Sequence, residues 1–134
     1  MTQVSAGLLI SDGKLLICQR LSSDPHPLKW EFPGGKVETG ETPAEALIRE
    51  LFEELCIHVT HYKPIHSYNF QYPGTSEIKL HFFQVLSYTG KLKNKNSFQE
   101  IKWVQPEDLK SFDFLEGDIP FINRLDELIS NFNH

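Results

Sequence analysis

The sequence predicts one mixed αβ domain. Three observations carry that reading. Strand-like apolar runs recur along the chain and are joined by turn residues. Two stretches carry apolar residues at helical spacing. The whole chain, 134 residues, suits a single buried core, so residues 1–134 are read as one domain.

Taken in order, Val4 to Ile10 reads as a strand, Ser11-Asp12-Gly13 as a hairpin turn, and Lys14 to Arg20 as its partner. Leu21 to Lys29 is a polar loop holding two prolines. Trp30-Glu31-Phe32 forms a short strand that Pro33-Gly34-Gly35 should stop. The next helix is the best marked. Thr42 can cap it, Pro43 fits its first position, and Glu45 completes a capping box. Ala44, Leu47, Ile48, Leu51 and Leu55 supply its apolar stripe. Strand-like runs follow at Val59 to Phe70, Ile78 to Ser87 and Glu100 to Val104, with Gln71-Tyr72-Pro73-Gly74 as a turn. His81 reads as a strand residue rather than a ligand. Pro106-Glu107-Asp108-Leu109 starts a short helix. Ile119 to Phe132 reads as a closing amphipathic helix, with Ile122, Leu125, Leu128 and Ile129 on one face.

Composition narrows the function. The net charge is −5, whereas a duplex binder shows a basic face. The basic cluster Lys91-Leu92-Lys93-Asn94-Lys95 reads as a solvated loop, so no nucleic-acid partner is expected. No apolar run is long enough for a bilayer, and Met1 to Ser5 lacks the pattern of a secretory signal. The expectation is a cytoplasmic protein with no membrane partner. Cys18 and Cys56 fit buried thiols in a reducing compartment. An acidic protein can still hold a polyphosphate if metal ions neutralise the contact.

Glu50, Glu53 and Glu54 stand at i, i+3 and i+4, so a helix stacks their carboxylates on one face. Such like charges repel. They suit either a solvated acidic face or Mg²⁺, which takes a few carboxylates, keeps waters and completes its shell with substrate phosphates. Upstream, Gly34 and Gly35 let backbone approach a ligand and expose a carbonyl to a metal.

The segment Gly35-Lys36-Val37-Glu38-Thr39-Gly40-Glu41-Thr42-Pro43-Ala44-Glu45-Ala46-Leu47-Ile48-Arg49-Glu50-Leu51-Phe52-Glu53-Glu54-Leu55-Cys56-Ile57 resembles a Nudix box, Gly-x5-Glu-x7-Arg-Glu-U-x-Glu-Glu-x-Gly-U, where U is a bulky aliphatic. Every fixed position matches except the last glycine, which is Cys56. The resemblance implies an α/β/α sandwich with a mixed sheet and hydrolysis of a nucleoside diphosphate linked to another group. It implies Mg²⁺ as cofactor, with Mn²⁺ as the alternative. By position, Glu50 and Glu54 become the main metal ligands and the Gly34 carbonyl a further one. Glu53 becomes another ligand or positions the attacking water. Glu53, Glu50 and Arg49 form the catalytic set, with Arg49 orienting the glutamates, and Glu41 ties the loop to the helix.

Two departures stand out. Cysteine accepts the positive φ of the helix-ending glycine poorly, so the helix is expected to end differently at Cys56. MutT-like relatives often carry a glutamate six residues before a tryptophan; here that position is Ser97, ahead of Trp103. Either Glu100 substitutes, or the helix glutamates work without it.

Trp30-Glu31-Phe32-Pro33-Gly34-Gly35-Lys36 resembles the MutT-like branch, including 8-oxo-dGTP diphosphatases and CTP pyrophosphohydrolases. That implies a nucleoside triphosphate, ordinary, oxidised or modified, cleaved to monophosphate and pyrophosphate in nucleotide-pool sanitation. The partner is then a small nucleotide, and the enzyme a monomer or homodimer. Candidate substrate contacts are Arg20 (phosphate, or a surface strand end), Gly35, Lys36, Phe32 and Phe70 (base packing, or core), and Asp118. In Gly117-Asp118-Ile119-Pro120, an ionised Asp118 would accept from an exocyclic amine of cytosine or guanine, cap a helix, or both. The competing readings are a Nudix hydrolase of ADP-ribose or dinucleoside polyphosphates, and a non-catalytic nucleotide-binding module.

Overall fold

The structure, a computed structural model, describes residues 1–129. Strands β1 (Thr2–Ser11), β2 (Lys14–Gln19), β3 (Trp30–Glu31) and β4 (Gly34–Lys36) precede helix α1 (Pro43–Leu55). Strands β5 (His58–Phe70), β6 (Ile78–Thr89) and β7 (Glu100–Val104) follow, then short helices α2 (Ile119–Asn123) and α3 (Leu125–Leu128). β1 runs parallel to β6 and antiparallel to β4, and β5 pairs antiparallel with β6. β2 extends the β1 hairpin and pairs antiparallel with both β3 and β7. The sheet is therefore mixed.

Both faces of its central strands are covered, and side chains alternate between two cores. Leu8, Leu15, Ile17, Leu80 and Phe82 face the core shared with Phe121 and Leu125 of α2 and α3. Leu9, Leu16, Cys18, Phe83 and Val85 face Leu47, Leu51 and Leu55 of α1. This is the predicted layering of helix, sheet and helix. α1 begins as expected, with Thr42 and Glu45 bonded reciprocally. The buried Ser5 hydroxyl donates to the Pro43 carbonyl at 2.7 Å and pins the start of α1 to β1.

Four expectations need correction or refinement. Gly34 and Gly35 do not merely stop β3: Gly34–Lys36 is itself a strand, with Gly34 opposite Ala6. The short helix expected from Pro106 forms over Pro106–Ser111, in the tighter 3-10 form. The closing helix is broken at Arg124, whose φ of −109° and ψ of 6° leave the helical region. Arg124 turns its guanidinium to His66 and Glu127. No side-chain cap marks the break, so apolar periodicity alone continued through it. Phe121, Leu125 and Ile129 are buried; the part expected over 130–132 lies outside the described residues.

Cys56 is the fourth. It adopts φ 62° and donates its amide to the Phe52 carbonyl, so α1 ends in the left-handed conformation without glycine. Neighbouring backbone supports this end. The amides of Lys93 and Lys95 donate to the Leu55 and Glu54 carbonyls at 3.0 and 3.1 Å, covering acceptors that a helix end leaves free. The lysine-rich loop is thus solvated on its side chains and structural in its backbone. Cys18 is buried as expected, while Cys56 is only partly so.

Candidate active site

Helix α1 lies against β4 because Gly35 allows it, and β4 lies against β1 because Gly34 does. A Cβ on Gly34 would lie 1.9 Å from the Ser5 carbonyl oxygen, and one on Gly35 would lie 2.4 Å from the Glu50 carboxyl carbon. The Glu50 carboxyl therefore rests on bare backbone. The Gly34 amide donates to Glu54 Oε1 at 3.2 Å.

Arg49 organises the acidic face. It grips Glu41 with two bonds, Nε to Oε2 at 2.6 Å and Nη2 to Oε1 at 3.0 Å. The same guanidinium reaches Glu50 at 2.9 Å, Glu53 and Glu38 at 3.4 Å, and the Lys36 carbonyl at 3.0 Å. Glu41 also accepts from the Glu38 amide, so it ties the loop to the helix. Bonding to Arg49 holds the Glu41 carboxyl below its ordinary range.

The ligand candidates differ in exposure. Glu53 is 57% exposed, while Glu50 is 18% exposed. Burial, then Glu50 and Glu31, push Glu54 up to about 9. Burial raises Glu50 too, against the pull of Arg49. Close, desolvated carboxylates disfavour one another's charge, and a divalent cation relieves that conflict. Among the described residues no three His, Cys, Asp or Glu side chains form a ready-made cage. A hard cation such as Mg²⁺ fills its shell from a few carboxylates, a carbonyl, water and substrate oxygens.

Glu54 borders a cavity of about 270 Å³ that Glu50, Glu53 and Arg49 do not line. Of the sequence candidates, Arg20, Phe32, Gly34, Gly35, Lys36, Glu54 and Asp118 line it. Phe70 does not; it packs edge-on against Tyr72, with ring centres 4.9 Å apart. Tyr72 takes the lining place, and the His26 ring lies tilted against it with centres 4.7 Å apart. Phe32 is both lining and core, 3% exposed and edge-on to Phe121.

Asp118 is 5% exposed. Its carboxyl accepts from the Phe32 amide at 3.3 Å and makes no cap bond to α2. The helix-cap reading is thereby overturned. Burial, and next the charge of Glu31, push Asp118 up to about 8. Burial thus favours the protonated form, which can donate as well as accept.

Sequence reasoning passed over Glu31 as a site residue. It lines the cavity, bonds Arg20 at 3.1 Å and is pushed up to about 7, chiefly by burial. Its signal was an acid between Trp30 and Phe32 in a strand. The Arg20 guanidinium also donates to the Pro25 carbonyl, so it is held rather than free. Ser97 lines the cavity, whereas Glu100 lies outside it and pairs with Lys102 at 3.7 Å. His81 is a strand residue bonded to Gln3.

Comparisons with known proteins agree with this geometry. A family model described as the NUDIX domain matches residues 1–125. The CTP pyrophosphohydrolase of Escherichia coli K12 is 35% identical over 122 residues, covering 91% of this chain and 89% of that protein. An 8-oxo-dGTP diphosphatase of Haemophilus influenzae is 35% identical over 131 residues, covering 97% and 95%. The solution structure of the E. coli ORF135 protein superposes with a TM-score of 0.83 at 34% identity, covering 96% of this chain and 90% of that one.

Proposed function

This chain belongs to the NUDIX domain family, and on that premise we propose that it converts a nucleoside triphosphate to the monophosphate and pyrophosphate in a Mg²⁺-dependent reaction. That it is a Nudix hydrolase of the MutT type follows from its relatives. One observation carries the finer reading. A single cavity is lined both by Glu54 with the Gly34–Gly35 backbone and by Asp118 with Phe32. A nucleotide's polyphosphate and base can therefore be held at once.

Nudix hydrolases in general use divalent metal ions. Here Glu50, Glu54 and the Gly34 carbonyl would hold the cation, which supplies neutralisation of the phosphate charge and a more acidic bound water. Arg49 keeps the carboxylates of Glu50 and Glu53 in place. Glu53, the most exposed of the three helix glutamates, orients or deprotonates the attacking water. Gly35 leaves room for the Glu50 carboxyl against the backbone of the cavity, while Lys36 and Arg20 contribute positive charge beside the phosphates.

Asp118 reads the base edge. A carboxyl that can donate or accept suits the paired amine and ring positions of cytosine or guanine. Relatives named CTP pyrophosphohydrolase and 8-oxo-dGTP diphosphatase support bases of this kind, ordinary, oxidised or modified. On this reading the enzyme serves the free nucleotide pool of the cytoplasm.

The test is pyrophosphate release with Mg²⁺ over a panel of 8-oxo-dGTP, dCTP, CTP, 5-substituted dCTP and ADP-ribose. One of the triphosphates should be hydrolysed best, with pyrophosphate as product. Preference for ADP-ribose, or binding without turnover across the panel, would overturn the reading.

A further inference from the structure

The segment carrying Asp118 is held by two tyrosines from another part of the chain. The Tyr68 hydroxyl, on β5, donates to the Gly117 carbonyl and accepts from the Phe121 amide at 3.2 Å. The Tyr72 hydroxyl accepts from the Gly117 amide at 2.9 Å. Both polar groups of Gly117 and the amide at Phe121 are thus bonded to phenols, flanking Asp118 on each side. A Cβ on Gly117 would lie 2.7 Å from the Tyr72 oxygen, so the close approach needs this glycine. The phenols are themselves placed by packing. Tyr68 stacks on Phe82 at 5.6 Å, and Phe82 stacks on Phe121 at 4.0 Å and 5°.

We propose that Tyr68, assisted by Tyr72, is a positioning residue that fixes the Asp118 carboxyl against the Phe32 amide and so sets which base the cavity accepts. The proposal rests on the reading of Asp118 given above. Tyr68 acts through the segment alone, since it stands outside the cavity lining while Tyr72 forms part of it. A short segment with no side-chain caps cannot hold a buried carboxyl to a fraction of an ångström unaided. Two phenols can, Tyr68 on β5 and Tyr72 just beyond the end of that strand, packed on Phe70. Discrimination between bases then depends on a residue that never touches the nucleotide.

The experiment compares Tyr68→Phe, Asp118→Asn and the double variant with the parent chain. Amide exchange is measured at Phe32, and kcat/KM for the preferred nucleotide and one competitor. Tyr68→Phe keeps the ring and removes the hydroxyl. Phe32 exchange should quicken by about two- to tenfold, the scale of one hydrogen bond, although Phe32 makes no bond to Tyr68. The preference between nucleotides should narrow, mainly through KM, and Tyr68→Phe should narrow it no further once Asp118 is Asn. Unchanged Phe32 protection overturns the proposal, as do effects on preference that multiply independently in the double variant. If Asp118→Asn leaves the preference untouched while Tyr68→Phe still exposes the Phe32 amide, the positioning role stands and base reading by Asp118 falls. Should Tyr68→Phe not fold, Tyr72→Phe, which removes only the acceptor for the Gly117 amide, carries the same exchange measurement.

Discussion

The two walls of the cavity are built in opposite ways. On one, Gly34 to Glu54 is a continuous run of chain in which Arg49 ties together Glu38, Glu41, Glu50 and Glu53. On the other, Asp118 meets Phe32, Tyr68 ties the Asp118 segment to β5, and Tyr72 faces His26. The first wall is local and crowded with charge. The second is assembled from remote segments, and Asp118 is buried to 5% exposure. The difference suggests a division of labour. Chemistry common to polyphosphates can sit in a fixed motif, while preference for one base can change by altering a few distant residues.

The sharpest way to break that comparison is at the acidic wall. Glu54→Gln keeps shape and removes the charge of a proposed metal ligand, so turnover should fall by about 100-fold or more on every nucleotide alike. Folding, followed by circular dichroism, should be retained. Near-normal turnover at saturating Mg²⁺ would remove Glu54 from the site. Arg49→Lys is milder. A lysine keeps the charge but cannot grip Glu41 with two bonds, and a drop of about 10- to 100-fold is expected, again regardless of base. A loss confined to one nucleotide would show that the walls are not separable.

This contrast also explains what could be read in the sequence. The capping box at Thr42, the i, i+3, i+4 glutamates and the glycine pair are short-range patterns, and the structure shows the corresponding local geometry. The alternation of Leu8, Leu9, Leu15, Leu16 and Ile17 between two cores is likewise a period that sequence displays. The other wall depends on pairings over long separations. Nothing near Tyr68 indicates that its hydroxyl ends at Gly117. Phe70 and Tyr72 are both aromatic in one turn, and only the tertiary arrangement turns Tyr72 inward. Glu31 looked like an ordinary polar position between Trp30 and Phe32 until burial and Arg20 gave it a context. The kink at Arg124 has no local cap to announce it.

Asp118→Asn tests the second wall. The amide fixes one donor and one acceptor where the acid can exchange them, so the ranking of two nucleotides should shift by about 5- to 100-fold, the range of one base contact. Mg²⁺ dependence should not move. Stability offers an independent check. Asp118 is pushed from 3.8 to about 8, chiefly by burial, so the folded chain keeps a proton that the unfolded chain has lost. Its contribution is therefore fullest below about pH 4 and is lost progressively as pH rises to about 8. Glu31, at about 7 when folded, and Glu54, at about 9, add losses of the same sign, the latter extending to higher pH. In cation-free buffer the melting temperature should decline across that window, and Asp118→Asn should flatten the decline. Parallel curves would show that the carboxyl is not desolvated as described.

The smallest expected effect lies where the acidic wall departs from its motif. Cys56 holds φ 62°, a conformation that costs a side-chain-bearing residue roughly 1 kcal/mol. Cys56→Gly removes that strain but also frees the unfolded chain, and it deletes a partly buried thiol. The net gain should be a few tenths of a kcal/mol, up to about 1 kcal/mol. Cys56→Ala separates the terms, since it keeps the strain and loses the thiol; it should be no more stable than the parent. Turnover and nucleotide ranking should be unchanged in both, because the Lys93 and Lys95 amides already cover the carbonyls at this end. Denaturant melts of the three proteins decide the matter. A glycine variant less stable than the alanine one would mean that strain at this position is negligible. A glycine variant with altered turnover would mean that the helix end transmits to Glu54, and that the acidic wall reaches one turn further than its ligands.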